Sequence, residues 1–242
     1  PGIAWLRNNV LEIVFISGSI GIIACINIWD LPLLGAIFVA IILFKLLKDG
    51  NVRFVGKISH GVWLTLPILI GFVLISLPFY LGFDGSVEGI RPLLGPSTRP
   101  VHFFLIWGFF LAISIPFIFR QLIISPKINS HCKYIIIGSV LAIMPLIIWI
   151  CWVAISDSGH EIRLLNEISR IIKILPAMVL AGISMYLFLT VEKTRSLSVA
   201  FAFLLTSAAF FLILGLELFH VSDSLPFRMN TVFKLSYQIW VL

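Results

Sequence analysis

The segment DSLPFRMNTVFKLSYQIW, Asp223 to Trp240, gathers an Asp, an Arg, an Asn, a Lys, a Tyr and a Gln directly after one of the most apolar runs of the chain. Arg228 and Lys234 are its cations, and their natural chemistry is anion binding. A guanidinium grips phosphate bidentately and an ammonium acts as a point charge. Asn230 directly precedes TVFKLSYQIW and is the expected N-cap of a helix there, with Asp223 the other residue that could begin it. Arg228 then stands just before the helix start, where free backbone donors and the positive dipole end attract anions. Lys234 and Gln238 are four residues apart and share a face. Arg228, Lys234, Asn230, Tyr237 and Gln238 together read as a phosphate- or substrate-binding group. The competing reading is aromatic and basic anchoring at a membrane interface. Asn230 and Gln238 anchor poorly and favour a hydrogen-bonding cavity.

A second polar cluster is INIWDLP, Ile26 to Pro32. It links two apolar runs in so few residues that Asn27, Trp29 and Asp30 must sit at or below headgroup level. A carboxylate there is costly unless paired. Asp30 is also placed to cap the following helix, with Pro32 in its first turn. A third feature is the loop FDGSVEGIRPLLGPSTRP, residues 83–100, with turns expected at DG and GPS and with Arg91 and Arg99 able to assist an anion site. Asp30 and Asp223 are the candidate catalytic carboxylates and the candidate ligands of a divalent metal ion.

The elements that position these residues follow from composition. The chain is 60% hydrophobic and 12% charged, with a mean hydropathy of +1.11. Soluble domains carry about 25% charged residues. A globule of this size could not hide so much apolar surface, so the solvent is lipid. A span needs about 20 apolar residues. Such runs lie at 9–27, 31–47, 61–82, 101–119, 134–154, 172–190 and 197–219, and an eighth begins near Thr231. Backbone groups in lipid must be paired internally, so helices follow. The expected fold is an all-α polytopic bundle of seven to eight spans, a single transmembrane domain over residues 1–242.

Charge divides the connections into two alternating sets. One holds ten Lys/Arg against Asp49 and Glu192; the other holds eight acids, among them Asp30, Glu217 and Asp223, against seven Lys/Arg. By the positive-inside rule the first set is cytoplasmic and residue 1 begins inside. All three polar features then lie on the outer face, where 83–100 and 155–171 are the expected outer loops. Within the second, HEIRLLNEISRIIKIL places Ile162, Leu165, Ile168 and Ile172 on one face and Glu161, Arg163, Asn166, Glu167 and Arg170 largely on the others. That suits a helix on the membrane surface turning into the sixth span, or else a solvated extension of that span.

Some readings are excluded or empty. The net charge of +6 marks topology; no basic, aromatic-rich soluble patch suggests nucleic acid. Cys25, Cys132 and Cys151 lack metal-ligand spacing. Pro67, Pro78, Pro116, Pro145 and Pro176 fall inside spans and predict kinks. No internal repeat supports a repeat-built transporter. Starting at Pro1 and stopping at Leu242 inside an apolar run, the chain reads as a fragment of a longer polypeptide.

RMNTVFK followed by YQIW, with NIWDLP earlier, resembles the YYY family of multi-pass membrane proteins. Asp223, Arg228, Met229, Asn230, Thr231, Val232, Phe233, Lys234, Tyr237, Gln238 and Trp240 match its pattern; Leu235 and Ser236 depart where the family has aromatics. Asn27, Trp29, Asp30 and Pro32 match its N-x-W-D-x-P, and Thr98 and Trp107–Gly108 extend the likeness. That family is similar to GT-C-type membrane glycosyltransferases. The resemblance implies a protein of a prokaryotic plasma membrane that takes a sugar from a polyprenyl-phosphate donor at the outer face. It also implies an upstream Asp-x-His-Pro-His segment, absent from these residues, so the principal catalytic base is not assigned. Two other classes use the same cations: a transporter or flippase of an anionic amphiphile, and a non-catalytic subunit of a membrane complex. The few ionisable groups near mid-span weigh against coupled transport.

Overall fold

The computed structural model describes residues 3–48, 54–83, 89–94, 97–124, 132–155, 164–190, 197–222 and 228–242. The chain forms two compact units, Pro1–Gly85 and Ser86–Leu242.

Apart from short turns, the described residues of the first unit form four helices: α1 (Ile3–Asn8), α2 (Val10–Ile26), α3 (Asp30–Lys48) and α4 (Phe54–Tyr80). In lipid, apolar side chains gain nothing from facing one another, so helices associate through close backbone approach and interhelical hydrogen bonds. The α2–α4 pair shows both. Ser17 Oγ donates to the Ile68 carbonyl at 3.1 Å, and Tyr80 OH donates to the Ala24 carbonyl at 2.7 Å. A Cβ on Gly71 would stand 2.5 Å from Ser17 Oγ, so the close approach depends on that glycine.

The second unit contains α5 (Pro100–Ile124), α6 (Cys132–Ile155), α7 (Leu164–Thr190), α8 (Leu197–Leu218) and α9 (Met229–Val241). It adds two short strands, β1 (Gly89–Pro92) and β2 (Phe219–Ser222), which no apolar-run count foresees. They pair antiparallel, Gly89 opposite Ser222 and Pro92 opposite Phe219. Leu93 N–H continues the ladder to the Leu218 carbonyl at 2.8 Å. Gly89 sits at φ +127°, a conformation that only glycine adopts without strain. The core lies on α7 and α8, where Ala181, Leu187, Phe203, Ala209 and Phe210 are fully buried. Ser207 Oγ ties the two helices by donating to the Ala181 carbonyl.

Each apolar run of the sequence carries a helix. Among the described residues five segments are long and apolar enough to cross a membrane: Gly61–Tyr80, Pro100–Ile124, Cys132–Ile155, Ile168–Thr190 and Leu197–Leu218. Val10–Ile26 and Asp30–Ile42 are shorter apolar helices. The five prolines sit inside continuous helices. Of the two readings of the segment ahead of the sixth span, α7 favours the extension of that span, running unbroken from Leu164 to Thr190. Its faces are reversed. Ile168 and Ile172 are exposed, whereas Arg170 is 1% exposed. Lipid accepts the isoleucines, and the guanidinium turns inward to reach a carbonyl. Ile162 and Arg163, and the turns at Asp84–Gly85 and Gly95–Pro96, lie outside the described residues.

Candidate functional site

In the second unit α5, α7 and α9 begin and α6 and α8 end at the same end of the helices, and the polar residues meet there. Glu217, one residue from the end of α8, is the centre. Its Oε2 accepts the backbone N–H of Thr98 at 3.0 Å, and its Oε1 accepts the Thr98 hydroxyl. Arg228, the residue before α9, donates from Nη2 to Thr98 Oγ1 at 2.8 Å and from Nη1 to the Leu216 carbonyl at 2.9 Å. Nη1 also lies 3.5 Å from Glu217 Oε1, an ion pair with 17% and 10% of the two side chains exposed. One hydroxyl, one carboxylate and one guanidinium thus tie together the start of α5, the end of α8 and the start of α9. A carboxylate taken out of water needs such donors.

The loop before α5 is held from α7 as well. Arg170 Nη1 donates to the Leu93 carbonyl, which also accepts Trp149 Nε1–H at 3.3 Å. The guanidinium lies 5.2 Å from the centre of the Trp149 ring, a cation–π distance. One turn further along, Lys173 Nζ donates to Ser97 Oγ at 2.8 Å. Successive turns of α7 therefore grip Leu93 and Ser97, and Thr98 is delivered to Glu217 from a fixed backbone. Thr231 Oγ1 accepts Val221 N–H at 2.8 Å, which joins α9 to β2.

Beside this cluster opens a cavity of about 390 Å³ between α5, α7 and α8. Its walls are apolar, with Phe103, Leu111, Ile115, Leu180 and Ile213 among them. Its polar lining groups are Thr98, Lys173 and Glu217. The cavity is amphiphilic by construction, with a greasy body and a charged mouth.

The sequence-derived candidates divide sharply against this geometry. Arg228 faces inward at the cluster. Asn230 does not cap α9; the helix starts at Met229 and Arg228 holds the cap position without a side-chain cap bond. The Arg228 side chain is drawn back toward Leu216 and Thr98, which advances the helix start by a residue or two and places half-buried Asn230 in the first turn. Gln238 is buried, while Tyr237 is 69% exposed and points away from the unit. Half-buried Lys234 lies on α9 roughly 9 Å beyond Arg228 by helical rise. Arg91 is exposed in β1 opposite His220, and Arg99 is exposed next to Thr98, its carbonyl accepting Phe103 N–H.

Asn27, Trp29 and Asp30 belong to the first unit. There Asn27 Nδ2 donates to Asp30 Oδ1 at 3.0 Å, and Asn27 Oδ1 accepts Trp29 N–H at 3.4 Å. Asp30 is the first residue of α3 rather than the cap before it, because Asn27 already closes the turn. Asp223 lies outside the described residues. Among the described residues no group of three His, Cys, Asp or Glu is placed to hold a metal ion.

Glu217, Lys173 and Ser97 are residues that sequence reasoning placed at no site, and Thr98 entered it only through the family likeness. A signal existed for Glu217, a lone acid at the end of a strongly apolar run, since an ionisable group there has a partner by default. No curated protein and no solved structure matches the chain. Residues 3–242 match the family described as uncharacterized membrane protein (DUF2298), and the chain belongs to that family of membrane proteins.

Proposed function

We propose that this membrane protein is a glycosyltransferase of the GT-C type, acting at the extracytoplasmic face on a sugar carried by a polyprenyl phosphate. The observation that carries the reading is the amphiphilic cavity, whose apolar body ends at Thr98, Glu217 and Lys173 with Arg228 behind them. A lipid-linked sugar phosphate has the same division, a long apolar chain and an anionic, hydroxyl-rich head. Arg228, Lys173 and Glu217 leave the mouth with one net positive charge (two cations less one acid).

In the transfer the bond between the sugar's anomeric carbon and the phosphate oxygen breaks, and its electron pair stays on that oxygen. An acceptor hydroxyl bonds to the anomeric carbon and gives its proton to a base. Charge grows on the phosphate as the bond breaks, so fixed cations stabilise the transition state more than the ground state. Glu217 is a positioning residue in this scheme, because both its oxygens already accept from Thr98. The outward orientation rests on the alternating Lys/Arg bias of the connections.

The test is sugar release from a radiolabelled polyprenyl-phosphate donor by the full chain in liposomes. Replacing Arg228 by Ala is expected to lower transfer by about 10²-fold, the cost of a small misplacement at the cavity mouth, because Thr98 and Glu217 lose the guanidinium that holds them. Arg228→Lys, which keeps charge without the fork, should retain part of it. Full turnover by a folded Arg228→Ala protein removes this role. Movement of labelled donor across the bilayer without product would assign transport instead.

A further inference from the structure

We infer that Lys173 and Ser97 form the phosphate seat of the cavity, and that Arg228, the more obvious cation, does not. The inference rests on the reading of the substrate as a lipid-borne phosphate and assigns the residues that recognise it.

Three observations carry it. Arg228 is already committed to the Leu216 carbonyl, to Thr98 and to the Glu217 carboxylate that balances its charge. Lys173 is exposed, lines the cavity mouth, and among the described residues meets a neutral hydroxyl, Ser97 Oγ, rather than an acid. An ammonium has three donors, and after Ser97 two remain for phosphate oxygens. The Ser97 hydroxyl can turn its own proton to a third. Lastly, Lys173 stands five residues from the end of the apolar segment Ile168–Thr190, where a long cationic side chain reaches the interface. Snorkelling accounts for its exposure but not for a hydroxyl held beside it by a loop that Arg170 pins through Leu93.

The cavity walls suit a ligand with a long apolar chain. From Pro100 to Ile115 they follow α5 for roughly 22 Å of helical rise, so the chain below the phosphate lies along the helices into the membrane. Pro176 also lines the cavity. Having no N–H, it withholds the donor that the Ile172 carbonyl would take in an unbroken helix. That acceptor lies next to Lys173 in sequence and suits a hydroxyl of the head group. On that reading of the substrate, the occupant is a polyprenyl phosphate.

The experiment is equilibrium binding to the full chain in nanodiscs, with a tritiated polyprenyl phosphate and the matching polyprenol as probes. The expected result is phosphate lipid bound at least tenfold more tightly than the alcohol. Lys173→Met should abolish that preference and leave alcohol binding unchanged. Lys173→Arg should keep much of it, and Leu180→Trp, which fills the cavity, should weaken both probes. An undiminished preference in Lys173→Met overturns the inference and makes Lys173 an ordinary interfacial anchor. Equal displacement of the lipid by millimolar inorganic phosphate and by the polyprenyl phosphate overturns the lipid-borne source. Loss of the preference without sugar transfer from any donor would leave the seat standing and remove the transferase reading. Transfer that depends on Arg228 with binding indifferent to Lys173 would do the reverse.

Discussion

At the residue scale the cluster is a problem in satisfying charge. Glu217 and Arg228 are mostly out of water, and each is tolerable because the other, Thr98 and one carbonyl supply the missing partners. Removing one member of such a pair leaves an uncompensated charge, a loss of roughly 3–5 kcal/mol, whereas removing both leaves none. Glu217→Ala and Arg228→Ala should therefore each lower unfolding stability in mixed micelles by about 3 kcal/mol, the lower end of that range because both retain some exposure. The double variant should lose less than the sum by at least about 1 kcal/mol. Additive losses would show that the two side chains do not sense each other. The sequence made Arg228 legible, since a cation before a helix start has a recognisable chemistry. It could not make Glu217 legible as its partner. The Thr98–Glu217 contact spans 119 residues and the Thr98–Arg228 contact 130, and nothing local marks either.

At the element scale the helices were legible because lipid imposes a length and a polarity on them. Their contacts were not, since every lipid-facing surface looks equally apolar. The β1–β2 ladder escaped for a related reason. Its strands are four residues each and include Gly89 and Pro92, so neither announces itself, and only the pairing of distant segments makes them strands. What decides the helix contacts is backbone approach. A Cβ on Gly138 of α6 would come 2.7 Å from the Gly182 carbonyl of α7, while Gly108 of α5 and Gly215 of α8 have open space. Gly138→Ala should force the helices apart and cost about 1–3 kcal/mol, the range for overpacking. Gly108→Ala and Gly215→Ala should be neutral or stabilise by up to about 1 kcal/mol through helix propensity. Thermal unfolding of the three variants in one detergent separates these outcomes; equal shifts would show that glycine spacing does not set the α6–α7 contact.

At the scale of the whole molecule the surface is inverted relative to a soluble protein. Leu11, Leu105 and Ile123 are each more than 80% exposed, and Phe15 and Phe109 well over half, whereas the charged cluster is turned inward. Such a surface is stable only in lipid, and that makes a sharp prediction at Ile113. Ile113 is 58% exposed and lies near the middle of α5, eleven residues from Ile124 and thirteen from Pro100. That is roughly 17–20 Å from either end by helical rise, beyond the reach of a snorkelling lysine. On a water-facing helix Ile113→Lys would change stability by no more than about 0.5 kcal/mol. At the centre of a span it costs roughly 2.5–3.5 kcal/mol of insertion free energy. Ile113→Lys should therefore reduce the carbonate-resistant membrane fraction of the expressed chain severalfold, whereas lysine in place of exposed Val101, at the start of α5, should leave it unchanged. The contrast comes from depth alone, because both positions are exposed and apolar on the same helix. Equal behaviour of the two variants would mean that α5 does not cross the bilayer, and the cavity it walls would then open to water rather than to lipid chains.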